Sequence, residues 1–143
     1  MKTSENSSLG RSVLALGAGF VSIALASHGV DALLQAAGLY SGSGQPMTDG
    51  LFGCAAVYRT LFGVFGCYLS ARLAPHSPER HALILGAIGT LLATLGAVAT
   101  WNQGPEFGPH WYPISLVLTA LPAAFVAARF HGRSKPTLVG ASA

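Results

Sequence analysis

Asp49-Gly-Leu-Phe-Gly-Cys-Ala-Ala-Val-Tyr-Arg-Thr-Leu-Phe-Gly-Val-Phe-Gly-Cys-Tyr-Leu-Ser-Ala-Arg72 decides the fold of this chain. As a helix it is long and apolar enough to cross a hydrocarbon core about 30 Å thick. Yet Arg59 sits well inside it. A cation at that depth costs roughly 2.5–3.5 kcal/mol on insertion scales, so the fold must supply it with a partner. Helical spacing puts Phe52, Ala56, Arg59, Gly63, Gly66 and Ser70 on one side. That side is rich in small residues, which let helix backbones approach closely in lipid, so Arg59 is expected to point at other helices.

Outward from this stretch the same character continues. Of 143 residues, 51% are hydrophobic and 9% charged, against about 25% charged in soluble domains. The mean hydropathy is +0.51. Three further apolar runs can be placed, giving helices at about 11–38, 48–73, 81–101 and 113–131. The segment from Val13 to Ala26, ending in Ala24-Leu25-Ala26, also matches a signal peptide. Its helical pattern continues through Val30, Leu33, Leu34, Ala37 and Leu39, which favours an uncleaved first helix. Residues 1–10 are polar and expected to fray, and residues 132–143 read as a flexible tail. Pro122 falls inside the fourth helix and is expected to kink or weaken it.

The fold class is therefore all-α: an integral membrane bundle of four transmembrane helices. Lys2, Arg11, Arg72, Arg80, Arg129, Arg133 and Lys135 lie on the side of the termini, and the loops 40–48 and 102–112 hold no Lys or Arg. By the positive-inside rule both termini are cytoplasmic. The net charge of +3 belongs to that membrane face and does not imply nucleic acid. A short internal match, Tyr68-Leu-Ser-Ala-Arg-Leu73 against Phe125-Val-Ala-Ala-Arg-Phe130, with Asp49 opposite Glu106, admits a reading as two tandem helical hairpins.

Asp31 is the leading partner for Arg59. Counting about 1.5 Å per residue from the cytoplasmic ends leaves the two roughly 10 Å apart in depth, a gap that two long side chains and a helix tilt can close. Ser27, His28, Thr90 and Thr94 are secondary candidates. On the first helix the inward face reads as Gly17, Phe20, Ala24, Ser27, His28 and Asp31. On the third it reads as Ala82, Gly86, Gly89, Ala93, Gly96 and Thr100, and on the fourth as Ser115, Thr119, Ala123 and Ala127. The outer face gathers His28, Asp31, Asp49, Glu106 and His110 with no basic loop residue. Together with Arg59 these form the candidate polar cluster, an acidic vestibule competent to attract a cation.

Catalytic and cofactor chemistry find little support. The five histidines, His28, His76, His81, His110 and His131, all lie near helix ends or in loops, where they cannot clamp a haem between helices. No metal-ligand spacing is present. Cys54 and Cys67 stand thirteen positions apart on one helix, roughly 20 Å along its axis and far beyond disulfide reach. No nucleophile elbow or Cys/His pairing is found. Trp101, Trp111, Tyr112 and Tyr40 read as interface anchors.

Gly44-Gln-Pro-Met-Thr-Asp-Gly-Leu-Phe52, Tyr58-Arg59, Gly66-Cys-Tyr-Leu-Ser-Ala-Arg-Leu-Ala-Pro75, Ala97-Val-Ala-Thr-Trp-Asn102 and Gly108-Pro-His-Trp-Tyr-Pro113 occur in an order that resembles a group of small bacterial inner-membrane proteins of no assigned function. The resemblance spans about residues 28–131 and implies four membrane helices and no activity. Small multidrug transporters, which look for a membrane-embedded Glu in the first helix, and dimeric fluoride channels fit badly. The expectation is a non-catalytic inner-membrane protein without a cofactor, embedded in the lipid bilayer. Its partners would be further copies of itself or another membrane protein. A small oligomeric transporter or channel built around Arg59 and the acidic vestibule is the alternative.

Overall fold

A computed structural model describes residues 2–40 and 47–133, and residues 1, 41–46 and 134–143 lie outside it. Among the described residues the regular structure is helical: α1 (Lys2–Ala36), α2 (Asp49–Leu73), α3 (Pro78–Thr100), a short 3-10 turn (Pro105–Phe107) and α4 (Trp111–Arg133). All four long helices contain a segment extended and apolar enough to cross a membrane. Their outward surface agrees with that: Leu14, Leu25, Leu33, Val98 and Leu118 are each at least 67% exposed, an arrangement that only an apolar solvent makes favourable.

The boundaries differ from the sequence expectation in physically simple ways. α1 starts at Lys2 rather than near residue 11, because extending a helix already nucleated by its apolar part costs little per residue. Pro78 opens α3 as a residue of its first turn, where its missing N–H is no loss. Gly132 and Arg133 continue α4, so only residues 134–143 of the expected tail lie outside the described residues. α4 also runs through Pro122 without a break.

Successive helices pack antiparallel, and α2 is the hub, touching α1, α3 and α4. α3 and α4 form the most extensive pairing, whereas α1 leans on α2 and on one edge of α3. Two backbone contacts set these crossings. A Cβ on Gly66 would collide with Ile23 and stand 2.7 Å from the Gly19 carbonyl, so α1 and α2 meet backbone to backbone. A Cβ on Gly86 would collide with that of Ala124, which fixes α3 against α4. Around them lies a core of Cys67, Ala71, Ala82, Leu85, Ala124, Ala127 and Ala128. In lipid, helix association draws on this close van der Waals fit. Ser70 is fully buried in the same region, and its Oγ has no hydrogen-bond partner.

The faces of α2 and α4 match the small-residue stripes read from sequence at Phe52, Gly66, Ser70, Ala123 and Ala127. The face of α1 is corrected in part: Ser27 is buried and Asp31 points inward as expected, but Gly17 has open space around it, Phe20 is 44% exposed and His28 is exposed, while Ala15 and Gly19 are buried instead. On α3 the stripe holds at Ala82 and Gly86, but Gly89 and Gly96 meet no neighbour. The core thus fills the half of the bundle nearer the termini, and the distal half is more open.

Candidate functional site

Arg59 projects from the middle of α2 into that open half, where α1 is ending. Its Nη2 donates to Asp31 Oδ2 at 2.5 Å, forming an ion pair whose side chains are 33% and 27% exposed. The other Asp31 oxygen accepts a hydrogen bond from the Tyr58 hydroxyl. One carboxylate thereby holds two consecutive side chains of α2, and α1 and α2 are clasped where their backbones no longer touch. Charge-assisted bonds of this kind are stronger than neutral ones, and here they complete the neutralisation that depth in a bilayer demands. Arg59 Nε is buried and has no partner.

Tyr40 extends the network. α1 ends with Gly38 in the left-handed region (φ 71°), and the Leu39 and Tyr40 amides both donate to the Leu34 carbonyl. This C-terminal turn folds Tyr40 inward. Its hydroxyl lies 3.4 Å from that of Tyr58 and donates to the Leu51 carbonyl at 3.4 Å. On the opposite wall Tyr112 packs its ring 5.0 Å from that of Phe52. The loop before α4 rests on the same ring: Gly108, at φ 92°, lies where a Cβ would come 2.6 Å from Phe52 Cε1. Only glycine fits there, for both conformation and space. Deeper between α2 and α4, Thr60 donates to Thr119 Oγ1 at 3.1 Å.

Asp31, Arg59, Tyr40, Phe52 and Tyr112 line an open cavity of about 460 Å³, within the size range of small-molecule sites. α1 contributes Asp31 and Gln35, and α2 contributes Phe52, Ala55 and Arg59. Ala93, Gly96, Ala97 and Thr100 of α3 form another wall, with Tyr112, Pro113 and Leu116 of α4 beside them. Tyr40, Met47, Glu106 and Phe107 line the distal side. The small residues of α3 therefore leave volume here, whereas nearer the termini they close a crossing. Glu106 has no ion-pair partner among the described residues.

The expected cluster is brought together in part. Asp31, Arg59 and Glu106 line one cavity; His28, Asp49 and His110 do not. His28 is exposed on α1. Asp49 is exposed in the first turn of α2, where a carboxylate complements the helix dipole. His110 stacks on Trp101 (4.4 Å between ring centres) and donates from Nε2 to the Trp101 carbonyl at 3.0 Å. Of the secondary partners proposed for Arg59, Thr90 and Thr94 instead bond carbonyls of their own helix. Tyr40 and Tyr112 turn inward, so the reading of both as interface anchors is corrected, while Trp101 and Trp111 remain over 40% exposed. Cys67 packs in the core and Cys54 faces outward, both as free thiols. Among the described residues no three His, Cys, Asp or Glu side chains converge as a metal site would require. No family model, curated protein or solved structure matches this chain.

Proposed function

We propose that this chain is a non-catalytic protein of the bacterial inner membrane that holds a small ligand in a cavity facing the outer side. It would act as an accessory or envelope protein and would sit beside a membrane partner or further copies of itself. The observation that carries the reading is the cavity of about 460 Å³ built on the Arg59–Asp31 ion pair. An ion pair needed for packing alone would be expected to be closed over by its neighbours. Here both charged side chains keep about a third of their surface open, and aromatic and polar groups surround the space.

The positive-inside distribution supports cytoplasmic termini, which makes the distal half the outer one. The packing of α1 on α2 and of α3 on α4 is compatible with two tandem hairpins, although α2 packs on α4 as extensively as on α1. Binding is favoured over conduction because the half nearer the termini is filled by the Ala- and Gly-rich core, which leaves no room for a continuous polar path.

Gly96 provides the test, since it lines the cavity and a Cβ there meets nothing within 4 Å. Gly96→Phe should fill the space without disturbing a helix crossing. Native mass spectrometry of protein extracted in gentle neutral detergent should find a stoichiometric small molecule on the wild type and none on Gly96→Phe. Equal occupancy of the two proteins, or an empty wild type, would overturn the proposal.

A further inference from the structure

The cavity also has a direction and a sign. α1 meets α3 near Gly19 and Leu85, in the half nearer the termini. Towards the distal end, a Cβ at Gly89 or Gly96 of α3 would meet nothing within 4 Å. The two helices therefore part as they approach the distal end, and Gly96 lines the cavity from the edge of that gap. A gap between two membrane-crossing helices gives the cavity a lateral side towards the surrounding acyl chains, besides the side lined by the loop residues Glu106 and Phe107. A ligand with an apolar chain can enter sideways and leave that chain between α1 and α3.

The polar end of such a ligand meets a net negative lining. Two carboxylates, Asp31 and Glu106, stand against one guanidinium, Arg59. Arg59 and Asp31 neutralise each other, which leaves Glu106 at the distal rim without a counter-ion. Aromatic faces from Tyr40, Phe107 and Tyr112 line the same space. A carboxylate among aromatic faces is the chemistry that recognises an ammonium group, by charge and by cation–π attraction. With Arg59 and Asp31 paired, the uncompensated negative charge of the lining lies at the rim, which makes the rim the place for a ligand's positive charge.

Resting on the binding role proposed above, we infer that the cavity takes an ammonium-bearing amphiphile that enters from the outer leaflet through the gap between α1 and α3. Its head lies against Glu106 and its chain lies in the gap. The head could belong to an aminophospholipid of the bilayer or to a free alkylammonium compound, since both present the same group.

The test measures retention of radiolabelled dodecyltrimethylammonium by the immobilised full chain in excess dodecyl maltoside, with protein-free micelles as background. The neutral detergent has the same chain length, so retention above background reads head-group selection. Wild type should bind saturably, Gly96→Phe should lose binding, and Glu106→Gln should weaken it about tenfold, as loss of one partly screened charge pair implies. Competition by short-chain phosphatidylethanolamine identifies the lipid as the occupant, and its absence identifies a free amphiphile. Dodecyl sulfate competing as well as the cation, or Glu106→Gln binding like wild type, overturns the ammonium assignment while leaving the binding role intact. If native mass spectrometry also finds the wild type empty, both fail together.

Discussion

Asp31→Asn, Arg59→Gln and their combination should not behave independently. The pair is joined at 2.5 Å with both side chains roughly one-third exposed, so its worth lies between two measured regimes. Solvent-exposed pairs contribute about 0.2–1 kcal/mol, and breaking a buried pair costs about 3–5 kcal/mol. Asp31 also accepts from Tyr58, and Asn at that position keeps an oxygen for one of the two donors. Each single substitution should therefore destabilise the bundle by about 2 kcal/mol, mostly by leaving a charge alone in the membrane. The double variant removes both charges together and should cost about 1–2 kcal/mol less than the sum of the singles. Reversible unfolding in mixed micelles, followed by helical circular dichroism and by melting temperature, measures all four corners of the cycle. Additivity within about 0.5 kcal/mol would mean that the charges do not depend on one another. A neutral Asp31→Asn beside a collapsed Arg59→Gln would equally refute the pairing.

Two further outcomes follow from other parts of the molecule. Ser70 is fully buried and its hydroxyl lacks a partner, so Ser70→Ala should leave the melting temperature unchanged or raise it, by up to about 1 kcal/mol of stability; a marked loss would reveal a hydrogen bond to that hydroxyl. Alkaline phosphatase, active only outside the cytoplasm, should be inactive when fused after Gly132 and active when fused after Gln103, and the reverse pattern would overturn the orientation argued from Lys and Arg placement.

Much of the fold was legible because membrane burial writes long signals. The four helices follow from apolar length, and the Arg59–Asp31 contact follows from helical rise and face, two quantities that propagate regularly along a helix. What was missed depends on local geometry without such regularity. Tyr58 lies one residue, about 100° of rotation, from Arg59, so a face assignment sends the two apart. They converge because a carboxylate has two oxygens and both side chains are long. Tyr40 turns inward only because Gly38 takes the left-handed conformation, and the adjacent Gly-Leu-Tyr gave little warning of it. On α1 the expected face holds at Ser27 and Asp31 but lies two positions off in the half nearer the termini, where Ala15 and Gly19 rather than Gly17 face inward. Apolar residues surround that helix on all sides, and small ones occur all around it. Of the residues expected in the acidic vestibule, Asp31 and Glu106 line the cavity while Asp49, His28 and His110 do not, since charge count reports which end of the bundle a residue belongs to but not where it points.

Ribosomes make Asp31 before Arg59, and the two are separated by 28 positions. The segment carrying the carboxylate leaves the ribosome first, and being near the distal end of α1 it reaches the far interface early. Were the helices to enter a membrane in chain order, the guanidinium of α2 would meet an anion already at the matching depth, and the Gly19–Gly66 contact would bring the two backbones together. In that order the cation would be spared a solitary passage through hydrocarbon. The helix that would be hardest to insert alone comes second, as the returning arm of a hairpin whose first arm prepares its place.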